Sequence, residues 1–420
     1  MTKRTTSRTR RRFLSAFGMT SIAGVASARA VLRAGGIDQA TSPSGRGAQT
    51  VQSEYLFGPG LTYLNTAALG PTPRTVLDRT WEAWLELESN PVNMAYGTGR
   101  TLAAADRART QAADLLGCTA DEILITRSTT DAMNSLAQGM RLGQGDRVLT
   151  SDQEHEGGRA GWHYRARRDG VELDVVPIAA TDHDPDAIVK RFAAAITPDT
   201  KILSVSHVIT STGLRMPIPD LASLARRHGI FCIVDGAQAV GQIDVNVKSL
   251  GCHAYATAGH KWLMGPKGTG LLYVSREAGG IEPIQWEYGR TFIANSVGMG
   301  SLPLAVGLAV AIEAMKARGM PAVERHNRAL RDRVYAGLME MPRVQVVSVP
   351  PGPLATALVA ARLPADLDSE RLKNALRDKH GVIVKMIEKQ WFNGIRLSPH
   401  VFNTEADVDT ALRAIRTELA

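Results

Sequence analysis

The chain has 420 residues, 44% of them apolar and 21% charged, an ordinary globular balance with length for two or three domains. Three cysteines with no C-x-x-C spacing exclude a disulfide scaffold or a zinc site of that pattern, and no long uncharged apolar stretch after the first fifty residues can span a membrane. The net charge of +8 would suit nucleic acid, but residues 1–50 carry nine Lys and Arg against one acid, Asp38, and the remainder balances at zero, leaving no basic body to meet a phosphate backbone.

Residues 1–30 read as an export signal. Six cations lie in the first twelve residues, a mild apolar run follows from Phe13 to Val25, and Ala26-Ser27-Ala28 supplies the small-residue cleavage pattern. Thr9-Arg10-Arg11-Arg12-Phe13-Leu14 resembles the twin-arginine export motif. A disordered basic tail or an uncleaved anchor would share the charge but not this succession. The expected partner is the twin-arginine export machinery, which moves folded proteins, and the expected location is periplasmic or secreted, with cleavage after Ala28 or Ala30 and no stable membrane insertion afterwards. Residues 31–52, rich in Gly, Ser, Thr, Gln and Pro, read as a linker.

Strand and helix patterns then alternate. ILIT (123–126), RVLTS (147–151), ELDVVPI (172–178), KILSVSHV (201–208), IFCIVDGA (230–237), HAYATAG (253–259) and TGLLYVS (269–275) predict strands. Helices are expected from Thr130, over Arg159–Arg168, Asp184–Ala195 and Pro219–His228, with Gly117 and Gly229 placed for left-handed caps. Apolar strands spaced by helices predict an α/β fold with a mostly parallel sheet covered on both faces. From Leu302 a helical stretch runs towards Met341, broken near Gly319-Met320-Pro321. VQVVSV, SERLKNALRD, GVIVKM, GIRLSP and a final helix from Glu405 predict a smaller α+β domain. The expected division is a large domain at 53–300, whose residues 53–75 pack near the small domain, and a small one with its connecting helix at 301–420.

In such sheets, ligands bind beyond the carboxyl ends of the strands. Four polar features fall there: Ser128-Thr129-Thr130 before a helix, His155 after RVLTS, Asp235 ending IFCIVD, and Lys261 after HAYATAG. Singly, each has a plain explanation as a cap, a turn residue or a surface group. Together and in this order they describe a pyridoxal phosphate site. A helix N-terminus suits the phosphate, and a buried carboxylate can keep a pyridine nitrogen protonated. A desolvated lysine can form the covalent link, and an aromatic ring can hold the coenzyme's plane.

The segments SHVITSTGLRMPIPDLASLARRHGIFCIVDGAQAVGQ and AGHKWLMGPKGTGLLYV, with YLNTAALGPTP and GIRLSPHVFNTEADVD, resemble the class V aminotransferases of pyridoxal phosphate fold type I over residues 55–420. That group includes isopenicillin N epimerases and cysteine desulfurases. The resemblance implies that Lys261 is the Schiff-base lysine, that Asp235 pairs with the pyridine nitrogen and that Gln238 reaches the phenolic oxygen. It also implies that His155 stacks on the ring and that Thr129, Thr130 and His260 hold the phosphate. Arg396 would bind the substrate α-carboxylate, and Asn65 would line the substrate pocket. Ala258 replaces a phosphate-binding serine of the desulfurases, and Thr210, counted among the cofactor-binding residues, replaces their asparagine. A homodimer is implied as well; Gly300-Ser301 matches the family's cross-subunit loop only loosely. No metal is expected.

Cys118, Cys232 and Cys252 all precede Lys261, so the nucleophilic cysteine of a mobilising desulfurase is absent. Transamination, epimerisation and elimination stay open, as does a non-catalytic binding protein of the same fold. The near end looks most like isopenicillin N epimerases. The expected activity is that of an aminotransferase or epimerase on the α-carbon of a small amino acid or a peptide-borne amino group.

Overall fold

The structure, a computed structural model, describes residues 51–92, 100–279, 281–282 and 300–420. The signal and nearly all of the linker expected at 1–52 lie outside the described residues. In chain order come β1 (Thr62–Tyr63), α1 (Arg74–Ser89), α2 (Arg100–Leu116), β2 (Ile123–Thr126), α3 (Thr129–Gly139), β3 (Arg147–Ser151), α4 (Glu156–Asp169) and β4 (Glu172–Val176). There follow α5 (Pro185–Ala195), β5 (Thr200–Ser206), α6 (Ile218–Arg227), β6 (Phe231–Asp235), α7 (Val247–Leu250), β7 (Ala254–Ala258) and β8 (Gly270–Val274). The remainder is α8 (Leu302–Arg318), α9 (Met320–Met339), β9 (Gln345–Val346), β10 (Val359–Arg362), α10 (Ser369–His380), β11 (Val382–Ile383), β12 (Lys385–Met386), β13 (Gly394–Leu397) and α11 (Glu405–Leu419).

Seven strands form one sheet in the order β2-β8-β7-β6-β5-β3-β4, parallel except where β8 runs against β2 and β7. Alternate residues of each strand feed two different cores. Leu203, Val205, Cys232, Val234, Tyr255 and Leu271 point to one face. Ile202, Ile233, Ala254, Ala256 and Leu272 point to the other, where Met133 and Leu136 of α3 and Trp162 of α4 cover them. Burial on both faces is why these strands carry unbroken apolar runs instead of alternating ones. Gly117 and Gly229 adopt φ of +70° and +66°, the left-handed conformation expected of them at helix ends. The guanidinium of Arg165, on α4, closes the carboxyl end of α3 by donating to the carbonyls of Ala137, Met140 and Leu142.

A second, antiparallel sheet has the order β12-β13-β10-β9, and β1 pairs in parallel with β11. Two expectations need correction here. The run 381–386 is not one strand: β11 follows β1 while β12 pairs with β13, so the chain changes sheets at Val384. Within 344–349 only β9 joins the ladder, because the Ser348 hydroxyl takes the Ala360 N–H at 2.8 Å and donates to the Thr212 carbonyl, tying this segment to the loop that follows β5. Among the described residues no helix is long and apolar enough to cross a membrane.

Candidate active site

Because β2 runs parallel to β7, strands β2, β3, β5, β6 and β7 all end at one edge. A cavity of about 270 Å³ opens there. Its walls include Thr129, Thr130, His155, Thr210, Asp235, Gln238, His260, Lys261 and Arg396, so residues separated by up to 267 positions meet in one space. Asn65 is not among the lining residues: its backbone bridges to Ser398, and its buried Oδ1 has no hydrogen-bond partner.

One end of the cavity is built for an anion. The Ser128 hydroxyl caps α3 by accepting the Asp131 N–H at 3.1 Å. The N–H groups of Thr129 and Thr130, in the first turn, have no carbonyl within the helix to reach. The Thr129 hydroxyl is buried without a partner. Beside them His260 sets Nδ1 3.0 Å from the Thr269 carbonyl, an arrangement that places a proton on Nδ1, and Ala258 contributes no hydroxyl to the wall.

The floor is a buried acid. One oxygen of Asp235 accepts the Ala237 N–H at 2.9 Å, and the other faces Gly158, where a Cβ would lie 2.7 Å from it. Burial pushes this carboxyl above its usual range, while Lys261 and His155 pull it back. His155 caps α4, its Nδ1 accepting the Gly157 N–H at 3.0 Å, so the neutral ring carries its proton on Nε2. Burial and the Lys261 charge depress the pKa of that ring.

Behind the floor sits a second carboxyl. Glu154, 5% exposed, accepts from the hydroxyls of Ser151 and Ser206, each at 2.6 Å, and Ser206 is the cross-strand neighbour of Asp235. Burial, reinforced by the Asp235 charge, pushes Glu154 up to about 7. A carboxyl raised from its unfolded value of about 4.3 stabilises the fold below that value and loses this contribution as pH rises to about 7. In the coenzyme-free protein, Glu154→Gln therefore gains stability relative to the parent between pH 4.5 and 7, on the order of 3 kcal/mol at the upper end. Paired thermal melts across that range check it, and parallel curves contradict it.

Lys261 lines the same cavity, its amine lowered to about 8 by burial and by Arg396, against the opposing pull of Asp235. Arg396, on β13, is 3% exposed and lowered to about 10 by burial, with Glu388 opposing. Its Nη1 donates to the Thr210 carbonyl at 2.6 Å and to the Thr210 hydroxyl at 2.9 Å, while Nε is buried with no partner, leaving an edge of the fork for a carboxylate. Gln238 is fixed by Trp262, whose indole N–H donates to Oε1 at 2.8 Å.

Three residues of the site do not stand out in the sequence: Lys385 and Glu388, an ion pair at 2.9 Å that lines the wall with Arg396, and Glu154 behind the Asp235 floor. For the first pair the available signal was the cross-strand register of Lys385 with Arg396, which only the folded sheet supplies.

The sequence profile of the family Aminotransferase class-V matches residues 62–411. The chain belongs to the class V aminotransferase family. Isopenicillin N epimerase of Amycolatopsis lactamdurans is 31% identical to it over 392 residues, covering 87% of this chain and 97% of that protein. A probable cysteine desulfurase of Pyrococcus abyssi is 27% identical, over 83% of this chain and 92% of the relative. Among solved structures, the apo cysteine desulfurase of Thermococcus onnurineus NA1 shares the fold with a TM-score of 0.79 at 24% identity, over 88% of this chain and 97% of that one. The cystine C–S lyase C-DES, in complex with cysteine persulfide, aligns with a TM-score of 0.78 at 24% identity, over 85% and 98%.

The coenzyme of this class V protein is pyridoxal phosphate, and the residues present fit it. The orphaned Thr129 hydroxyl lies at the anion end, beside the first-turn N–H groups of α3 that have no intrahelical acceptor. The buried carboxyl has no cation bonded to it among the described residues, and a desolvated amine shares its cavity.

Proposed function

We propose that this class V protein moves a proton at the α-carbon of a small amino acid or a peptide-borne amino group, as an epimerase or aminotransferase. Bound pyridoxal phosphate supplies the electron sink that such a carbanion needs. The helix N-terminus at Thr129 and Thr130, with His260, would hold its phosphate, and His155 would lie on its ring. Asp235 would keep a proton on the ring nitrogen. The free edge of Arg396 would take the substrate carboxylate and so turn the α-hydrogen towards Lys261, whose amine, lowered to about 8, suits a base.

The observation that carries this reading is a cavity holding the amine, the acid and the guanidinium but no thiol. All three cysteines lie within the described residues. Cys232 is buried in β6, and burial raises Cys118 and Cys252 to about 12, so none supplies a thiolate near neutral pH. The likeness to a C–S lyase keeps β-elimination as a second reading, since that reaction can proceed without a protein thiol.

Incubating the loaded protein with amino acids in deuterated water separates these outcomes. Deuterium at the α-carbon without a keto acid supports epimerisation, and a stoichiometric keto acid supports transamination. Pyruvate with ammonia moves the assignment to the lyase. We propose also that the protein is exported by the twin-arginine route and acts as a homodimer. A native protein starting at Met1 in the cytosol overturns the first; a monomeric mass with full activity overturns the second.

A further inference from the structure

The Thr210 hydroxyl is placed to fill a donor role that the family resemblance gives to Gln238. An indole N–H can only donate, so Trp262 fixes Gln238 with Oε1 towards it and the amide nitrogen on the opposite side. That nitrogen has two hydrogens, and both are engaged: one donates to the Ala67 carbonyl at 2.9 Å, the other to the Thr210 hydroxyl at 3.2 Å. Arg396, which can only donate, gives Nη1 to the same hydroxyl at 2.9 Å. A hydroxyl has two acceptor positions and one proton. Both acceptor positions of Thr210 are filled by groups that cannot accept in return, so its proton must point elsewhere. The residue is 8% exposed and lines the cavity, which is the space left for that proton.

We infer that Thr210, and not Gln238, donates the hydrogen bond to the phenolic oxygen of the coenzyme ring, with Gln238 and Arg396 acting as positioning residues that aim the hydroxyl. This rests on the reading of the cavity as the coenzyme site. It has a consequence for substrate sensing. Arg396 supplies one of the two bonds that orient the hydroxyl, so a carboxylate drawn to the free edge of the guanidinium is felt at the ring oxygen through a single intervening side chain. A backbone bond from the Arg396 Nη1 to the Thr210 carbonyl holds the fork in place when the hydroxyl is removed, so the substitution does not have to unseat the arginine.

The test is a spectrophotometric pH titration of the protein loaded with pyridoxal phosphate. A donor at the ring oxygen stabilises the more negative, deprotonated chromophore and so lowers the midpoint of its colour change. Thr210→Val is expected to raise that midpoint by about one pH unit or more, the size of a hydrogen bond to a charged group. Thr210→Ser should return it to the parent value, and Gln238→Leu should move it by less than Thr210→Val does. The inference is overturned if Thr210→Val titrates with the parent, or if Gln238→Leu shifts the midpoint more than Thr210→Val does. If the parent protein itself takes up no coenzyme and shows no visible band, the reading of the cavity falls, and this inference with it.

Discussion

Lys261→Ala should yield a folded protein that no longer shows a visible band resistant to dialysis, with turnover down by at least about a thousandfold. The expectation follows from where the amine sits. In water a lysine of pKa about 10.4 is almost wholly protonated at neutral pH. Burial in this cavity lowers Lys261 to about 8, so roughly a fifth of the protein carries a free, nucleophilic amine at pH 7.4. A desolvated amine is costly to hold and is rarely kept without a task. Lys261→Arg separates charge from nucleophilicity, since a guanidinium stays protonated at the neutral pH of the assay even where burial lowers it as far as it does Arg396. It should lose the band as completely as the alanine variant. Should either variant keep a band that borohydride fixes to the protein, another amine makes the link, and Lys261 has been misassigned.

The large sheet was legible because its strands are buried on both faces and therefore stand out as apolar runs, from ILIT to TGLLYVS. The site inherited that legibility: Asp235 ends a strand that the pattern located, His155 and Lys261 each follow one, and the parallel topology did the rest. What failed was pairing choice and long-range contact. The run 381–386 has the composition of one strand, and nothing local tells that its first half joins β1 and its second half β13. The contact between Arg396 and Thr210 spans 186 residues and depends on how the small sheet seats against the large one. Glu154 was hidden for a different reason. Its position just before His155 reads as a turn residue until Ser151 and Ser206 are seen to enclose its carboxyl.

Asp235→Asn should part attachment of the coenzyme from its activation. The amide can still accept the Ala237 N–H, so the local turn survives. Towards the cavity, however, it offers a neutral group in place of a carboxylate, and nothing then holds a proton on the ring nitrogen. Asp235 raises the pKa of Lys261, so its neutralisation lowers that pKa below about 8 and leaves more free amine at neutral pH. The visible band should therefore persist, its reduction by borohydride should still succeed, and turnover should fall by about a thousandfold. A stability measurement adds an opposite sign. Burial raises the Asp235 carboxyl, so in the coenzyme-free protein its ionisation costs stability as pH rises through the folded pKa. The asparagine variant avoids that cost, and without coenzyme it should melt higher than the parent at pH 8, with the gap closing towards pH 4. Such a residue is kept for its chemistry at the expense of the empty fold. Turnover within tenfold of the parent would show that the ring nitrogen is served by something else, and an unchanged melting difference from pH 4 to 8 would show that the carboxyl is not held against its own ionisation.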